Sequence, residues 1–233
     1  MSRVGAPMPD LGHYGLVVFD LDGTLYRQGP VRRRMLGELL MTGGQPGRLT
    51  RLNLLRRFRQ LREEVALGDP RGFGDALFAR LAAETGQNEV SLRALVTEWM
   101  ERRPLRYLAR ARVAGVAALF DGLRAAGTTI AVWSDYPVID KLAALSLTAD
   151  HCLWAGDPHV GALKPDPAGL LHLMARTGAE RDRMLMVGDR LSHDGAAAGA
   201  AGVDFLLRAA RRPPMLASRQ YHVSDFTALA ELA

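Results

Sequence analysis

The sequence predicts an α/β fold: a parallel sheet covered by helices on both faces, with an all-helical module inserted after the first strand. Three observations carry this. The run Leu16 to Phe19 is short and apolar, and gives way at once to two aspartates, Asp20 and Asp22. Residues 31 to about 112 then place apolar side chains three and four positions apart, the period of amphipathic helices. From about residue 114, short apolar runs alternate with helical patterns, which implies a parallel sheet wrapped on both sides.

Each element has its own warrant. Leu16 to Phe19 is the first strand, and Gly23 with Thr24 turns the chain. In the insertion, Met35, Leu36, Leu39 and Leu40 share helical spacing. So do Leu52, Leu55, Phe58 and Leu61, then Leu77, Phe78 and Leu81, then Leu92, Leu95, Val96 and Trp99. Gly43-Gly44 with Pro46, Gly68-Asp69-Pro70 and Gly86-Gln87-Asn88 punctuate them. Helices follow at Val116 to Ala126 (closed by Gly127), Pro137 to Leu147 with its proline in the first turn, Ala168 to Thr177, Ala196 to Ala201 and Asp225 to Leu232. Strands fall at Thr128 to Trp133, Cys152 to Ala155, Met184 to Val187 and Val203 to Leu207. The predicted division is a core of residues 1–28 and 113–233 with a helical insertion of residues 29–112.

Composition narrows the function classes. A chain of 233 residues can build one sizeable core with a smaller accessory unit. No segment approaches the roughly 18–20 unbroken apolar residues of a membrane span, and the first dozen residues do not read as a signal peptide. A single cysteine, Cys152, cannot form an internal disulfide, which fits a cytoplasmic protein; it reads as a small buried side chain. The net charge of +5 and pI near 9.9 invite a nucleic-acid partner. Yet the arginines are dispersed, with few aromatics between them to stack bases. Only two residues are lysine, Lys141 and Lys164, so the bias toward arginine is general and a lysine is informative. The arginine-dense stretch from Arg32 to Arg62 reads as a solvated helix face, or else as a surface that attracts an anionic substrate.

In an open parallel sheet, ligands bind beyond the carboxyl ends of the strands. The first strand delivers Asp20 and Asp22, two positions apart and so initially facing one side. The second ends in Ser134, and the fourth runs into Gly188-Asp189 with Asp194 beyond. Lys164 stands in the loop LKPDP. Carboxylates this close repel unless a cation or proton intervenes. The set suits phosphoryl transfer: Asp20, Asp189 and Asp194 as hard oxygen ligands for Mg²⁺, Lys164 and Ser134 on phosphate oxygens, and Asp22 as general acid and then base. The charge on Asp20 would help Asp22 to keep its proton, while the metal pulls the other way.

These residues resemble the haloacid dehalogenase superfamily, whose four motifs occur in order: Asp20-Leu21-Asp22-Gly23-Thr24, Ser134, Lys164, and Gly188-Asp189 with Asp194. The resemblance implies a Rossmann-like sheet of order 5-4-1-2-3 and an insertion serving as a helical C1-type cap. It implies Asp20 as the nucleophile that forms an aspartyl-phosphate, with Mg²⁺ held by Asp20, Asp189, Asp194 and the backbone carbonyl of Asp22. Dehalogenating and phosphonate-cleaving relatives lack an aspartate two positions after the nucleophile, so Asp22 argues for phosphate esters. The expectation is a Mg²⁺-dependent phosphatase for a small phosphorylated metabolite, without nucleic-acid partner or membrane span. A sugar phosphomutase of the same fold is the alternative. A protein that docks nucleic acid or an anionic membrane through its helices, over an inactive core, is a further one.

Several residues carry weaker expectations. Asp135, where relatives often have asparagine, either narrows the phosphate site or points away. Tyr26 and Arg27 follow the turn and can reach a substrate. His193 reads as a solvent-facing loop histidine, Trp99 and Trp154 as packing residues, and Gly199 and Gly202 as points of close helix-sheet contact.

Overall fold

The computed structural model describes residues 8–42, 45–71 and 73–232. Strands β1 (Leu16–Phe19), β2 (Thr129–Ser134), β3 (His151–Trp154), β4 (Met184–Gly188), β5 (Asp204–Arg208) and β6 (Gln220–Val223) form one sheet. Its order is β3-β2-β1-β4-β5-β6, with every neighbouring pair parallel. The implied order of five strands is present, and β6 extends it. Gln220 to Val223 has no apolar run because an edge strand buries little, so sequence pattern does not reveal it.

The four inner strands β1, β2, β4 and β5 are nearly continuous runs of buried residues because both faces are covered. Alternation then divides each strand between two cores. Val17, Phe19, Ile130, Val132, Leu185 and Val187 face one, where Phe120 of α6 (Val116–Ala125) and Phe226, just before α10 (Thr227–Ala230), lie against Phe19. Leu16, Val18, Ala131, Trp133, Met184 and Met186 face the other, under α8 (Ala168–Thr177) and α9 (Ala196–Ala201). The connection between β2 and β3 carries the short helix α7 (Ile139–Leu145).

Between β1 and α6 the chain is helical. It forms α1 (Gln28–Met41), α2 (Gln45–Leu67), α3 (Asp75–Thr85), α4 (Glu89–Val96) continued by a π-helical turn (Thr97–Arg102), and α5 (Leu105–Ala111). Leu39, Leu55, Phe58, Leu61, Leu77, Leu81, Leu92, Val96 and Trp99 form a separate hydrophobic cluster there. The punctuation has visible causes. Gly86 ends α3 at φ 65, and the Asn88 side chain caps α4 by accepting from Val90 N at 2.9 Å and Ser91 N at 3.3 Å. The Gly43-Gly44 break lies outside the described residues. Val31, Leu108 and Ala111 pack with the sheet rather than with the helical cluster, so both ends of the insertion are anchored on the core.

Two glycine expectations need correction. A Cβ at Gly199 would meet nothing within 4 Å; Ala197, Ala198 and Ala201 make the close approach of α9. Gly202 instead ends α9 in the left-handed conformation, at φ 74. The tight contact is at Gly169, where a Cβ would overlap the indole of Trp133. Cys152 is half-buried on edge strand β3, not fully enclosed. Among the described residues, no helix is long and apolar enough to cross a membrane.

Candidate active site

Strand register assembles the site. Phe19 pairs with Val132 on one side and Val187 on the other. Asp20 therefore leaves the sheet between the ends of β2 and β4, held by its N–H to the Val187 carbonyl at 2.8 Å. All six residues singled out in the sequence line one cavity of about 660 Å³ between the sheet rim and the helical insertion: Asp20, Asp22, Ser134, Lys164, Asp189 and Asp194.

Asp20, Asp189 and Asp194 each offer a carboxylate oxygen within 4.8 Å of the others. Lys164 Nζ lies 2.6 Å from Asp20 Oδ1 and 2.7 Å from Asp194 Oδ1 while only 2% exposed, and its ammonium faces the Trp133 ring at 4.9 Å. Thr24 Oγ1 donates to the other oxygen of Asp20 at 3.0 Å. One lysine does not neutralise three acids. Burial first, and the charges of Asp194 and Asp22 in addition, push Asp20 up to about 6 against the pull of Lys164. Burial, with Asp20 and Asp194, pushes Asp189 up to about 8, although Arg208 and Lys164 oppose it. Hard oxygen donors carrying uncompensated charge fit a divalent cation such as Mg²⁺.

Close packing makes this convergence possible only with glycine at two positions. Gly23 has φ 108, and a Cβ there would overlap the Asp189 carboxyl. A Cβ at Gly188 would overlap Asp194. Asp194 Oδ2 also accepts from Arg190 N at 3.1 Å, which fixes its rotamer.

Asp22 stands apart from the triad. Its two carboxylate oxygens lie 2.7 and 2.6 Å from Lys141 Nζ, Tyr26 Oη donates to Oδ1, and Ser134 Oγ is 3.4 Å from Oδ2. Its backbone carbonyl accepts from the Gln28 side chain. Burial works to raise the Asp22 carboxyl, but Lys141 and Tyr26 outweigh it and hold the group below the ordinary carboxylate range. The expectation that neighbouring Asp20 helps Asp22 keep its proton is thus overturned. Lys141, four per cent exposed, is the site residue that sequence reasoning missed. The signal was present: it is one of two lysines in a chain that otherwise chooses arginine, seven positions past Ser134.

Other expectations sort by contact. Ser134 Oγ accepts from Tyr136 N at 3.2 Å, so the turn after β2 presents an N–H beside the hydroxyl. Asp135 Oδ1 accepts from the backbone N–H of Lys164 at 3.1 Å, which ties the β2 turn to the lysine loop. Tyr26 lines the cavity and Arg27 does not. Trp99 is buried in the helical cluster, while Trp154 is half-buried on the edge strand. His193 is corrected: it is 2% exposed, with Nε2 3.2 Å from Glu63 Oε1 across the gap to α2. The π-helical turn Leu191–Gly195 rotates it inward beside Asp194, a local geometry that no sequence period announces. Burial lowers its pKa, and nearby Arg190 adds to that.

Comparison with solved structures gives the same architecture. A 2-haloacid dehalogenase from Pseudomonas syringae pv. Tomato DC3000 is 23% identical, with a TM-score of 0.64 over 94% of this chain and 97% of its own. A HAD phosphatase from Thermococcus onnurineus is 21% identical, with a TM-score of 0.63 over 93% and 96%. The putative HAD-hydrolase YfnB from Bacillus subtilis, bound to magnesium, is 15% identical, with a TM-score of 0.64 over 94% and 98%. At these identities the likeness speaks for the fold alone. No curated protein matches the chain. A family model, haloacid dehalogenase-like hydrolase, matches residues 14–202, a span that runs from before β1 to the end of α9 and contains every carboxylate, the serine and both lysines described above. This chain belongs to the haloacid dehalogenase-like hydrolases.

Proposed function

We propose that the protein is a Mg²⁺-dependent phosphatase that transfers the phosphoryl group of a small phosphate monoester to Asp20 and then to water. The observation that carries the reading is the pair of aspartates two positions apart, Asp20 beside the acidic triad and Asp22 turned toward Lys141 and Ser134. Dehalogenation requires the nucleophile and gives the second aspartate nothing to do. A magnesium ion in one structural neighbour agrees with the donor set.

Each residue takes a role that its contacts permit. Asp20, Asp189 and Asp194, with the carbonyl of Asp22, would hold Mg²⁺, which supplies charge neutralisation for the phosphate oxygens. Lys164 and Ser134 bind and orient the phosphoryl group. An Asp20 oxygen attacks phosphorus in line as the bond to the leaving oxygen breaks. That oxygen needs a proton. The Lys141-Asp22 pair holds one across 2.6 Å, and Asp22 passes it on. Asp22 then takes a proton from the water that attacks the aspartyl-phosphate, which releases phosphate and regenerates Asp20. The helical insertion, residues 29–112, serves as the cap over this site.

Phosphate release from a panel of phosphorylated metabolites, with Mg²⁺ and with EDTA, tests the reading. Turnover is expected with Mg²⁺, is lost with chelator, and is abolished in Asp20→Asn. Substantial phosphatase activity in that variant would sink the assignment. An isomeric sugar phosphate in place of free phosphate would turn the reading toward a mutase.

A further inference from the structure

The arginines of the helical insertion fall into two sets. Away from the cavity, Arg57, Arg80, Arg93, Arg103 and Arg106 each have a carboxylate within ion-pair distance, mostly on a neighbouring helix. Arg33 and Arg34 are exposed on α1 and do not line the cavity. Arg32, Arg56 and Arg59 line the cavity itself, and among the described residues none of them has a carboxylate partner. Arg62 beside them is already engaged: it donates to the Asp135 carbonyl and lies 4.1 Å over the Tyr136 ring.

Arg59 shares the cavity wall with Arg32, Tyr26 and Tyr136. Burial pulls its guanidinium down, and the groups that act on it are Tyr136, Arg32 and Tyr26; no carboxylate is among them. Arg32, Arg56 and Arg59 are exposed while lining the cavity, so an anion entering it can reach all three. None of the rim aspartates is ion-paired with these arginines, and Lys164 and Lys141 pair with Asp20, Asp194 and Asp22. The cavity, at about 660 Å³, has the size of a small-metabolite site rather than of inorganic phosphate alone. Apolar Met35, Leu36, Leu39 and Leu55 line other parts of it.

We propose that Arg59 and Arg32 form a second anion subsite, and that the substrate is a phosphate monoester carrying a distal carboxylate or second phosphate. This deepens the phosphatase reading and rests on it for the group at Asp20. Charge-assisted hydrogen bonds to the distal anion anchor the substrate so that its other end reaches the nucleophile. They also supply the charge that the guanidinium groups lack.

The experiment uses matched esters that differ at the distal group: 3-phosphoglycerate against glycerol 3-phosphate, and fructose 1,6-bisphosphate against fructose 6-phosphate. The wild-type enzyme is expected to favour the anionic member of at least one pair by about ten- to a hundredfold in kcat/KM. Which pair responds identifies carboxylate or phosphate. In Arg59→Gln and, separately, in Arg32→Gln, that ratio falls toward one. Ratios near one in the wild-type enzyme, or a preference that survives both substitutions, overturn the subsite. Calorimetry on Asp20→Asn with the same four ligands separates the two claims. If no ester is hydrolysed but the anionic members still bind more tightly in an Arg59-dependent way, the phosphatase reading fails and the subsite stands. If esters are hydrolysed without distal preference, the reverse holds.

Discussion

Lys141 Nζ sits 2.6 Å from Asp22 Oδ2, an ion pair closed across 119 positions of sequence and almost sealed from solvent. It joins the first turn of the chain to the helix after β2. It also helps to hold the Asp22 carboxyl below the ordinary range, which bears on the acid role proposed for that residue.

That contact makes Lys141→Met informative. The variant should lose turnover by about tenfold or more for alkyl phosphates, whose leaving oxygen needs a proton, since general acid assistance contributes on the order of 10²–10⁴. The loss should be much smaller for p-nitrophenyl phosphate, whose leaving group departs unassisted. Equal losses on both substrates would reduce Lys141 to a structural strut.

The overlap that a Cβ at Gly188 would make with Asp194 leads to a second expectation. Gly188→Ala must displace Asp194, and so should raise the Mg²⁺ concentration for half-maximal activity by about 10- to 100-fold. A magnesium titration of activity checks this. An unchanged requirement would mean that Asp194 is not part of the metal's support.

Stability should depend on pH and metal together. Asp20 and Asp189 stand at about 6 and about 8, above the ordinary value of 3.8. A carboxyl raised in the folded state binds more protons there than in the unfolded chain. Stability is then greatest below the unfolded pKa and is lost as pH rises toward 8. With EDTA, the melting temperature should fall between pH 5.5 and 8.5 by several degrees or more, since a carboxyl raised to about 8 contributes about 1.4 kcal/mol per pH unit below that value. Mg²⁺ should restore more at pH 8.5 than at 5.5. A metal effect independent of pH would contradict the clustering of charge at this rim.

The helical insertion has its own core, in which Leu81 is fully buried. Leu81→Ala should cost about 2–5 kcal/mol. Because the site's carboxylates stand on the sheet, the Mg²⁺-dependent increment in melting temperature should persist. Loss of that increment would show that the insertion and the sheet fold as one unit.

Most of the sheet was legible because its strands are buried on both faces and read as uninterrupted apolar runs. Gln220 to Val223 escaped because it pairs only at the edge, where backbone hydrogen bonds define a strand without apolar residues. The acidic residues were legible from their places at strand ends. Asp135 was not, since a sequence cannot say whether a turn carboxylate faces a ligand or a backbone N–H; here it accepts from Lys164 N. His193 was misjudged for a related reason: the π-helical turn rotates it inward, and that turn has no sequence period.

By itself the sequence determined the alternation of strands and helices, the insertion after β1, and the placing of Asp20, Asp22, Ser134, Lys164, Asp189 and Asp194 where chain segments leave the sheet. Hydrophobic period and strand-end chemistry are local, so they survive in one dimension. Only the tertiary structure decided that Lys141 holds Asp22, that Glu63 of α2 reaches His193, and that Arg59 faces the cavity without a carboxylate. Those are distances between segments far apart in the chain, and only packing brings such segments together.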